Sequence, residues 1–169
     1  KHAGVVEQAH DAAPANVDVY FLADTTGSMD SILSAVKAGA ANILATLAGL
    51  GPSFNFGVGN YKDFPSDPYC FQHQQSLTAS GASLMAALNA WAAAGGNDGP
   101  EGQMFALHKL AEPPGGAIGW RAGAKRIIVW FGDYPGHDPV CTAISGEPAA
   151  ITEASVTARN ERSPTSPRA

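Results

Sequence analysis

The sequence predicts an α/β domain built on a mainly parallel sheet that is flanked by helices. Short runs of β-branched and aromatic residues alternate along the 169-residue chain with segments whose apolar residues recur at helical spacing. A chain of this length can form one domain with its own hydrophobic core. We expect that domain to span residues 17–158, between an N-terminal arm at 1–16 and a flexible tail at 159–169.

Four segments are predicted to be strands, and the first, second and fourth of them are rich in β-branched or aromatic residues. In chain order they are residues 17–23, 54–61, 69–77 and 126–131. The first is almost continuously apolar and the last is the strongest strand signal in the chain, which is typical of parallel strands buried on both faces.

Four further segments are predicted to be helices because their apolar residues recur every three or four positions. They are residues 29–50, 82–94, 103–111 and 148–158. The apolar face of the first comprises Ile32, Val36, Ala40, Ile43, Leu44 and Leu47. Gly49, Gly51 and Pro52 are expected to end that helix.

Charge and apolar content argue against two function classes. The net charge is −5 and the basic residues do not cluster, so the chain lacks the positive surface on which nucleic-acid binding depends. No apolar stretch is long enough to span a membrane. The two cysteines, Cys70 and Cys141, are either free thiols or one disulfide.

One carboxylate and two hydroxyls follow the first predicted strand at alternating positions. They belong to Asp24, Thr26 and Ser28, on the tight loop that leads into the first helix. Asp133 directly follows the last predicted strand and its glycine. Open α/β sheets bind ligands at the carboxyl ends of their strands, and oxygen donors are what Mg²⁺ and Ca²⁺ prefer. The sequence therefore predicts a divalent-cation site at this edge of the sheet.

Three motifs together resemble the von Willebrand factor A (VWA) domain, in particular the I-like domains of integrin β-subunits and similar modules of bacterial secreted proteins. They are Asp-Thr-Thr-Gly-Ser at 24–28, Asn-Asp-Gly-Pro-Glu-Gly at 97–102, and Ile-Gly-Trp-Arg at 118–121 with Asp133 beyond the strand that follows. The resemblance covers residues 17–140. It implies a Rossmann-like sheet, an adhesion or protein-binding function, and a location outside the cell or at its surface.

The resemblance also implies a metal-ion-dependent adhesion site that holds Mg²⁺ or Mn²⁺. Its ligands would be Asp24, Thr26, Ser28, Glu101 and Asp133. Because Mg²⁺ accepts few protein carboxylates and keeps several waters, one position stays open for an acidic side chain of a partner protein.

A second, adjacent Ca²⁺ site is implied by the same family. Its ligands would be Asp63, Asp98, Glu101 and the backbone carbonyl of Pro100. The family also uses an asparagine, whose place Gly96 takes here, so the site would be rebuilt with Asn97, one residue away.

An enzyme alternative rests on the same first loop, which also resembles the nucleophile loop of haloacid-dehalogenase-type phosphotransferases. There Asp24 would attack phosphorus, while Asp133 and Asp138 would hold Mg²⁺. That chemistry needs a lysine in the pocket, and Lys109 and Lys125 are poorly placed for it. The acidic loop motif would have no role, so the adhesion function is preferred.

The end of the chain departs from the family pattern. Complete VWA domains continue with two more apolar strands, and no segment after residue 148 is predicted to form one. The domain is therefore expected to lack its last strands, and the 126–131 strand would be an exposed sheet edge, which soluble proteins avoid. Either the chain is truncated or a partner, such as a second copy, adds strands there.

Several other polar and aromatic residues are expected to have plain structural roles. His137 and Asp138 would be loop residues rather than ligands. Arg121 and Lys125 would pair with surface acids. The three tryptophans would pack in the core or at its edge.

Overall fold

Strands and helices alternate in the computed structural model, which describes residues 16–47, 50 and 53–161. The elements are β1 (Asn16–Asp24), α1 (Asp30–Leu47), β2 (Ser53–Tyr61), β3 (Phe71–Thr78), α2 (Gly81–Asn89), α3 (Gln103–Leu110), β4 (Lys125–Phe131), α4 (Thr142–Ser145) and α5 (Glu153–Glu161). A 3₁₀ turn, Gly27–Met29, precedes α1. The predicted α/β class is confirmed.

The sheet has four strands in the order β3-β2-β1-β4. Strand β1 is parallel to both of its neighbours, and only the β2–β3 pair is antiparallel. The register pairs Asp24 with Tyr61 and Ala23 with Phe131. The carboxyl ends of β1, β2 and β4 therefore lie side by side, and the loops that follow them meet.

The core forms on both faces of β1, because successive side chains of a strand point to opposite faces. Val19 and Phe21 pack with Leu33 of α1 and with the apolar face of α2. Tyr20 and Leu22 pack on the other face with residues of α3 and with the segment before β4. Burial on both sides is the reason why this strand reads as a continuous apolar run.

The apolar face of α1 differs from the prediction at one position. Leu33, Val36 and Ala40 are buried, whereas Ile32 is exposed. Residues 32 and 33 both fit the three- and four-residue spacing, so the pattern alone does not choose between them. The residues expected to end this helix, 49, 51 and 52, lie outside the described residues.

The C-terminal helices also differ from the prediction. A short helix, α4, was not expected, and α5 begins at Glu153 rather than near 148 and continues to Glu161. The cause is a long-range contact, since Ile151 pairs through both backbone groups with Val140 at 2.8 and 3.0 Å. The residues just before this bridge, 148 and 149, form a bend instead of the first turn of a helix. Residues 1–15 and 162–169, most of the predicted arm and tail, lie outside the described residues.

Three further expectations concern the two cysteines, the partner of Arg121 and membrane-spanning helices. Cys70 is buried, Cys141 is exposed, and both are free thiols rather than a disulfide. Arg121 pairs with Asp18, which is fully buried, and not with a surface acid. Within the described part of the chain, no helix is long and apolar enough to cross a membrane.

Strand β4 is an edge of the sheet as far as the described residues extend. Its Ile127 and Trp130 side chains are more than two-fifths exposed. The Trp130 Nε1 donates a hydrogen bond to the Tyr61 hydroxyl at 2.9 Å.

Candidate metal centre

Three loops converge where β1, β2 and β4 end, and backbone hydrogen bonds join them. In the loop after β1, Gly27 N donates a hydrogen bond to Gly95 O of the acidic loop at 2.9 Å. The acidic loop before α3 is held in turn by the loop after β4, because Glu101 N donates to Pro135 O at 2.9 Å. The His137 amide completes this pairing by donating to Glu101 O at 3.0 Å. The loops thus form one framework around a shared cleft.

Asp24 lies at the base of this framework and is fully buried. Its Oδ1 accepts hydrogen bonds from Thr26 N at 2.8 Å and from Thr26 Oγ1 at 2.7 Å. The Ser28 hydroxyl lies 3.3 Å from Thr26 Oγ1. Asp24 Oδ2 has no hydrogen-bond partner. A buried carboxylate oxygen without a partner is costly, and a bound cation would remove that cost.

Glu101 is a second buried carboxylate, and it lines the cleft between these loops. Its side chain is 3 % exposed, and its Oε2 also lacks a hydrogen-bond partner. Burial, followed by the charge of Asp24, raises the pKa of Glu101 to about 8. Burial likewise raises the pKa of Asp24, although hydrogen bonds from Thr26 oppose the shift and the charge of Asp133 adds to it. The residues therefore fit a divalent cation.

The cleft has a volume of about 250 Å³ and is open to solvent. Thr26, Ser28, Asn97, Asp98 and Glu101, all predicted as ligands from the sequence, line it. The predicted Pro100 directly precedes Glu101 in the acidic loop and is half-buried. Asp133 is exposed, and its charge reaches the cleft by raising the pKa values of both buried acids.

Gly96, which takes the place of the family's asparagine, has little space for a side chain. Its φ angle is +74°, a conformation that other residues rarely adopt. A Cβ atom here would lie 3.0 Å from the Cβ of Thr26 and 3.3 Å from Oε1 of Glu101. A side chain would therefore crowd the cleft, and glycine leaves it open.

A second group of ligand-type atoms lies beside the first. Asp63, Asp98 and His137 each offer one such atom, and these atoms lie within 4.8 Å of one another. His137 Nε2 lies 2.8 Å from Asp63 Oδ1 and 3.9 Å from Asp98 Oδ1. His137 is in a loop, as predicted, but it faces an acid that the sequence places in another loop. Its position four residues beyond Asp133 is the signal that could have drawn attention to it.

Lys62 was not predicted and is central to the framework. It follows β2 directly and is buried, and its Nζ donates to the carbonyls of Thr25 and Ala94. Burial lowers the pKa of Lys62, while the nearby acids, Asp24 and Glu101 among them, oppose that shift. The ammonium group therefore ties the first loop to the start of the acidic loop.

Asp67 accepts hydrogen bonds from the backbone of two of the loops that carry the predicted ligands. Its Oδ2 accepts from Gly96 N at 3.0 Å and from Asp63 N at 3.1 Å. A Cβ at Gly95 would come within 1.9 Å of Asp67 Oδ1, so this approach also depends on glycine.

Comparisons with known proteins agree with this architecture. A family model described as "Integrin beta-like protein A-E, vWA-like" matches residues 12–149. Integrin beta-like protein C of Dictyostelium discoideum is 23 % identical over 118 residues, which cover 70 % of this chain and 6 % of that protein. Integrin beta-2-like protein of Mus musculus is 30 % identical over 114 residues, which cover 68 % of this chain and 15 % of that protein. The chain thus spans a small part of the length of these curated relatives.

A solved structure shares the fold. It is the pilus adhesin SpaC from Lactobacillus rhamnosus GG in an open conformation, with a TM-score of 0.51 and 20 % sequence identity. The match covers 68 % of this chain and 14 % of that one.

Proposed function

Since the chain belongs to the vWA-like family of integrin beta-like proteins, whose members are of the adhesion type and not enzymes, we propose that it is a cation-dependent protein-binding module. The ion would be Mg²⁺ or Mn²⁺. Its ligands would be Asp24, Thr26, Ser28, Glu101 and Asp133. The observation that carries this proposal is a pair of buried carboxylate oxygens, on Asp24 below the loops and on Glu101 in the lining of the cleft, that have no hydrogen-bond partner.

The charge of the cleft explains what the ion would contribute. Burial, and then the charges of neighbouring acids, raise the pKa values of Asp24 and Glu101, so the metal-free site has no positive charge with which to attract an acidic partner. A divalent ion supplies positive charge and a coordination position that a partner's carboxylate can fill. Capture of the partner should therefore be lost when a chelator is added.

The rim of the cleft offers further contacts to a partner. Asn97, Gly99 and Tyr134 line it, and nearly half of the surface of Tyr134 is exposed. Exposed tyrosines are frequent contributors to binding energy at protein interfaces. We assign Tyr134 a role in contacting the partner beside the captured acid.

The proposal extends to the neighbouring acids and to the setting of the module. Asp63 and Asp98, with Pro100, Glu101 and Asn97 nearby, would form a second cation site, for which the family resemblance implies Ca²⁺. The integrin-like relatives support action outside the cell or at its surface. Self-association through the exposed edge of β4 would add a second contact, and light scattering that shows only monomers would exclude it.

The phosphotransferase alternative has no support from the relatives. Lys62 is the lysine that lies beside Asp24, but its ammonium group is engaged by two backbone carbonyls. The cleft therefore holds no lysine free to bind a phosphate among the described residues.

Calorimetry of the chelator-stripped chain tests the ion, with Asp24→Asn as the variant and Asp30→Asn as its control. Asp30 is an exposed acid in the first turn of α1, so the two substitutions change charge equally. We expect Asp24→Asn to weaken Mg²⁺ and Mn²⁺ binding at least tenfold and Asp30→Asn to leave it unchanged. Equal affinity in all three proteins would overturn the proposal.

A peptide array tests the partner chemistry. Peptides that carry one Asp or Glu residue are compared with peptides that carry Asn or Gln at the same position, in Mg²⁺ and in EDTA. We expect the protein to bind the acidic peptides in Mg²⁺ and not in EDTA. Retention that does not depend on either the acid or the ion would contradict capture through a metal.

A further inference from the structure

We propose that Asp63, Asp98 and His137 form a cation site that takes a borderline transition-metal ion of the Zn²⁺ class in preference to Ca²⁺. This deepens the second cation site and rests on that part of the proposed function. It requires neither occupancy of the first site by Mg²⁺ nor capture of a partner.

The geometry of the three side chains suits one shared ion. Each side chain comes from a different loop, and their ligand atoms lie within 4.8 Å of one another. Bonds of about 2.0–2.2 Å to a common Zn²⁺ hold the ligand atoms roughly 3–4 Å apart. The observed separation of 3.9 Å from His137 to Asp98 lies within that range, and that of 2.8 Å from His137 to Asp63 lies just below it.

An unpartnered atom of Asp63 points independently to a ligand. Asp63 is 1 % exposed, and its Oδ1 already accepts from Phe64 N at 2.6 Å and contacts His137. Its Oδ2 is buried and has no hydrogen-bond partner. Leaving such an oxygen unsatisfied costs free energy, and coordination to a cation removes that cost.

The backbone holds His137 in place before any ion binds. The amide of His137 donates to the carbonyl of Glu101, whose own amide donates to Pro135. The imidazole is therefore presented to Asp63 by a loop that is fixed at two points. Ligands held in this way lose little entropy when they bind an ion.

The donor set decides the class of ion. Ca²⁺ takes six to eight oxygen ligands, whereas imidazole nitrogen suits Zn²⁺ and related ions. Two carboxylates and one imidazole also balance the charge of a divalent ion. Asp67, a further acid beside Asp63, already accepts from two backbone amides with one oxygen, so it adds little to an all-oxygen shell.

An ion can reach this group from solvent. A cleft of about 300 Å³ is lined by Asp98 and His137 and by Phe64, Val140 and Cys141 on its far side. Cys141 lies in this cleft but outside the group of three ligand atoms. Its thiol therefore serves as a control rather than as a ligand.

The test is calorimetry with Zn²⁺ and, separately, Ca²⁺ on the chelator-stripped full chain. The variant is His137→Gln, chosen because its side chain is partly exposed and its loss spares the core. The control is His108→Gln, a histidine that also faces an acid, Glu147 at 3.4 Å, away from the site. We expect the wild-type chain to bind Zn²⁺ at least 100-fold more tightly than Ca²⁺. The Zn²⁺ affinity should fall at least tenfold in His137→Gln and should be unchanged in His108→Gln and Cys141→Ser.

Thermal unfolding gives a second readout. Zn²⁺ should raise the Tm of the wild-type chain and of His108→Gln but not that of His137→Gln. Zn²⁺ binding that survives His137→Gln, tighter binding of Ca²⁺ than of Zn²⁺, or no binding of Zn²⁺ at all would each overturn the assignment, and the last would leave a simple His–Asp hydrogen bond.

The Asp24→Asn variant separates this proposal from the function proposed for the first site. It should lose Mg²⁺ binding and keep Zn²⁺ binding, whereas His137→Gln should do the reverse. Unchanged Mg²⁺ binding in Asp24→Asn overturns the first site alone. Loss of Zn²⁺ binding in Asp24→Asn but not in His137→Gln overturns the second.

Discussion

Glu101→Gln should stabilise the metal-free protein and abolish its stabilisation by Mg²⁺. The substitution keeps the size of the side chain and removes its charge. In the folded protein the pKa of Glu101 rises from 4.5 to about 8, chiefly because the group is buried and then because Asp24 is near. The folded state therefore keeps a proton that the unfolded state loses. The contribution of Glu101 to stability is greatest below pH 4.5 and declines as the pH rises to about 8.

The magnitude follows from that shift. Each pKa unit corresponds to about 1.4 kcal/mol, so the full shift sets an upper limit of about 5 kcal/mol. Solvent in the open cleft screens the charge, and we therefore expect about 2 kcal/mol. In EDTA at pH 8 the variant should exceed the wild type by that amount, and near pH 4.5 the two should agree. With Mg²⁺ at one hundred times its Kd, only the wild type should gain about 2.7 kcal/mol.

Urea unfolding followed by tryptophan fluorescence measures these differences at both pH values, in EDTA and in Mg²⁺. The control is Glu153→Gln, which neutralises an exposed glutamate in the first turn of α5 and should show neither effect. The reasoning is wrong if Glu101→Gln is less stable than the wild type in EDTA at pH 8. It is equally wrong if Mg²⁺ stabilises the variant and the wild type alike.

Three further substitutions probe other contacts. Arg121→Ala should lower the free energy of unfolding in urea by about 3–5 kcal/mol, because it leaves the fully buried Asp18 without its partner, and a loss below about 1 kcal/mol would contradict that pairing. Gly96→Ala should weaken Mg²⁺ binding at least tenfold by calorimetry. The control is Gly115→Ala, at a glycine with a similar positive φ but open space around it, which should leave Mg²⁺ binding unchanged. Equal Mg²⁺ affinities of the two variants would argue against steric crowding of the cleft. Tyr134→Ala should leave Mg²⁺ affinity unchanged yet reduce capture of acidic peptides on the array, and undiminished capture would remove Tyr134 from the interface.

The strands could be predicted because each depends on its own composition. Strand β1 is apolar without interruption from Val19 to Ala23 since both of its faces are covered, and that pattern is visible without any knowledge of its neighbours. The start of α5 could not be predicted in this way. It is set by the pairing of Ile151 with Val140 and by a cap in which Thr152 Oγ1 accepts a hydrogen bond from Ser155 N at 3.1 Å, and apolar periodicity reports neither contact.

The residues of the candidate site likewise include some that have a local sequence signal and some that have none. Asp24, Thr26 and Ser28 could be recognised because their alternating spacing is local to one loop. His137 and Lys62 could not, because their roles come from contacts across the chain. His137 meets Asp63 at a separation of 74 residues, and Lys62 meets the carbonyls of residues 37 and 32 positions away. Only the parallel register of the sheet brings those loops together.

Two aspartates of one strand show why the carboxyl end of β1 is the functional end. Asp18 and Asp24 are both fully buried, and both would cost free energy if left uncompensated. Asp18 is matched by Arg121, whose Nε lies 2.6 Å from Oδ1 and whose backbone amide donates to Oδ2 at 2.8 Å. Asp24 has hydrogen bonds on one oxygen and none on the other. The chain itself satisfies the first acid, and the second is left for a ligand that the chain does not supply.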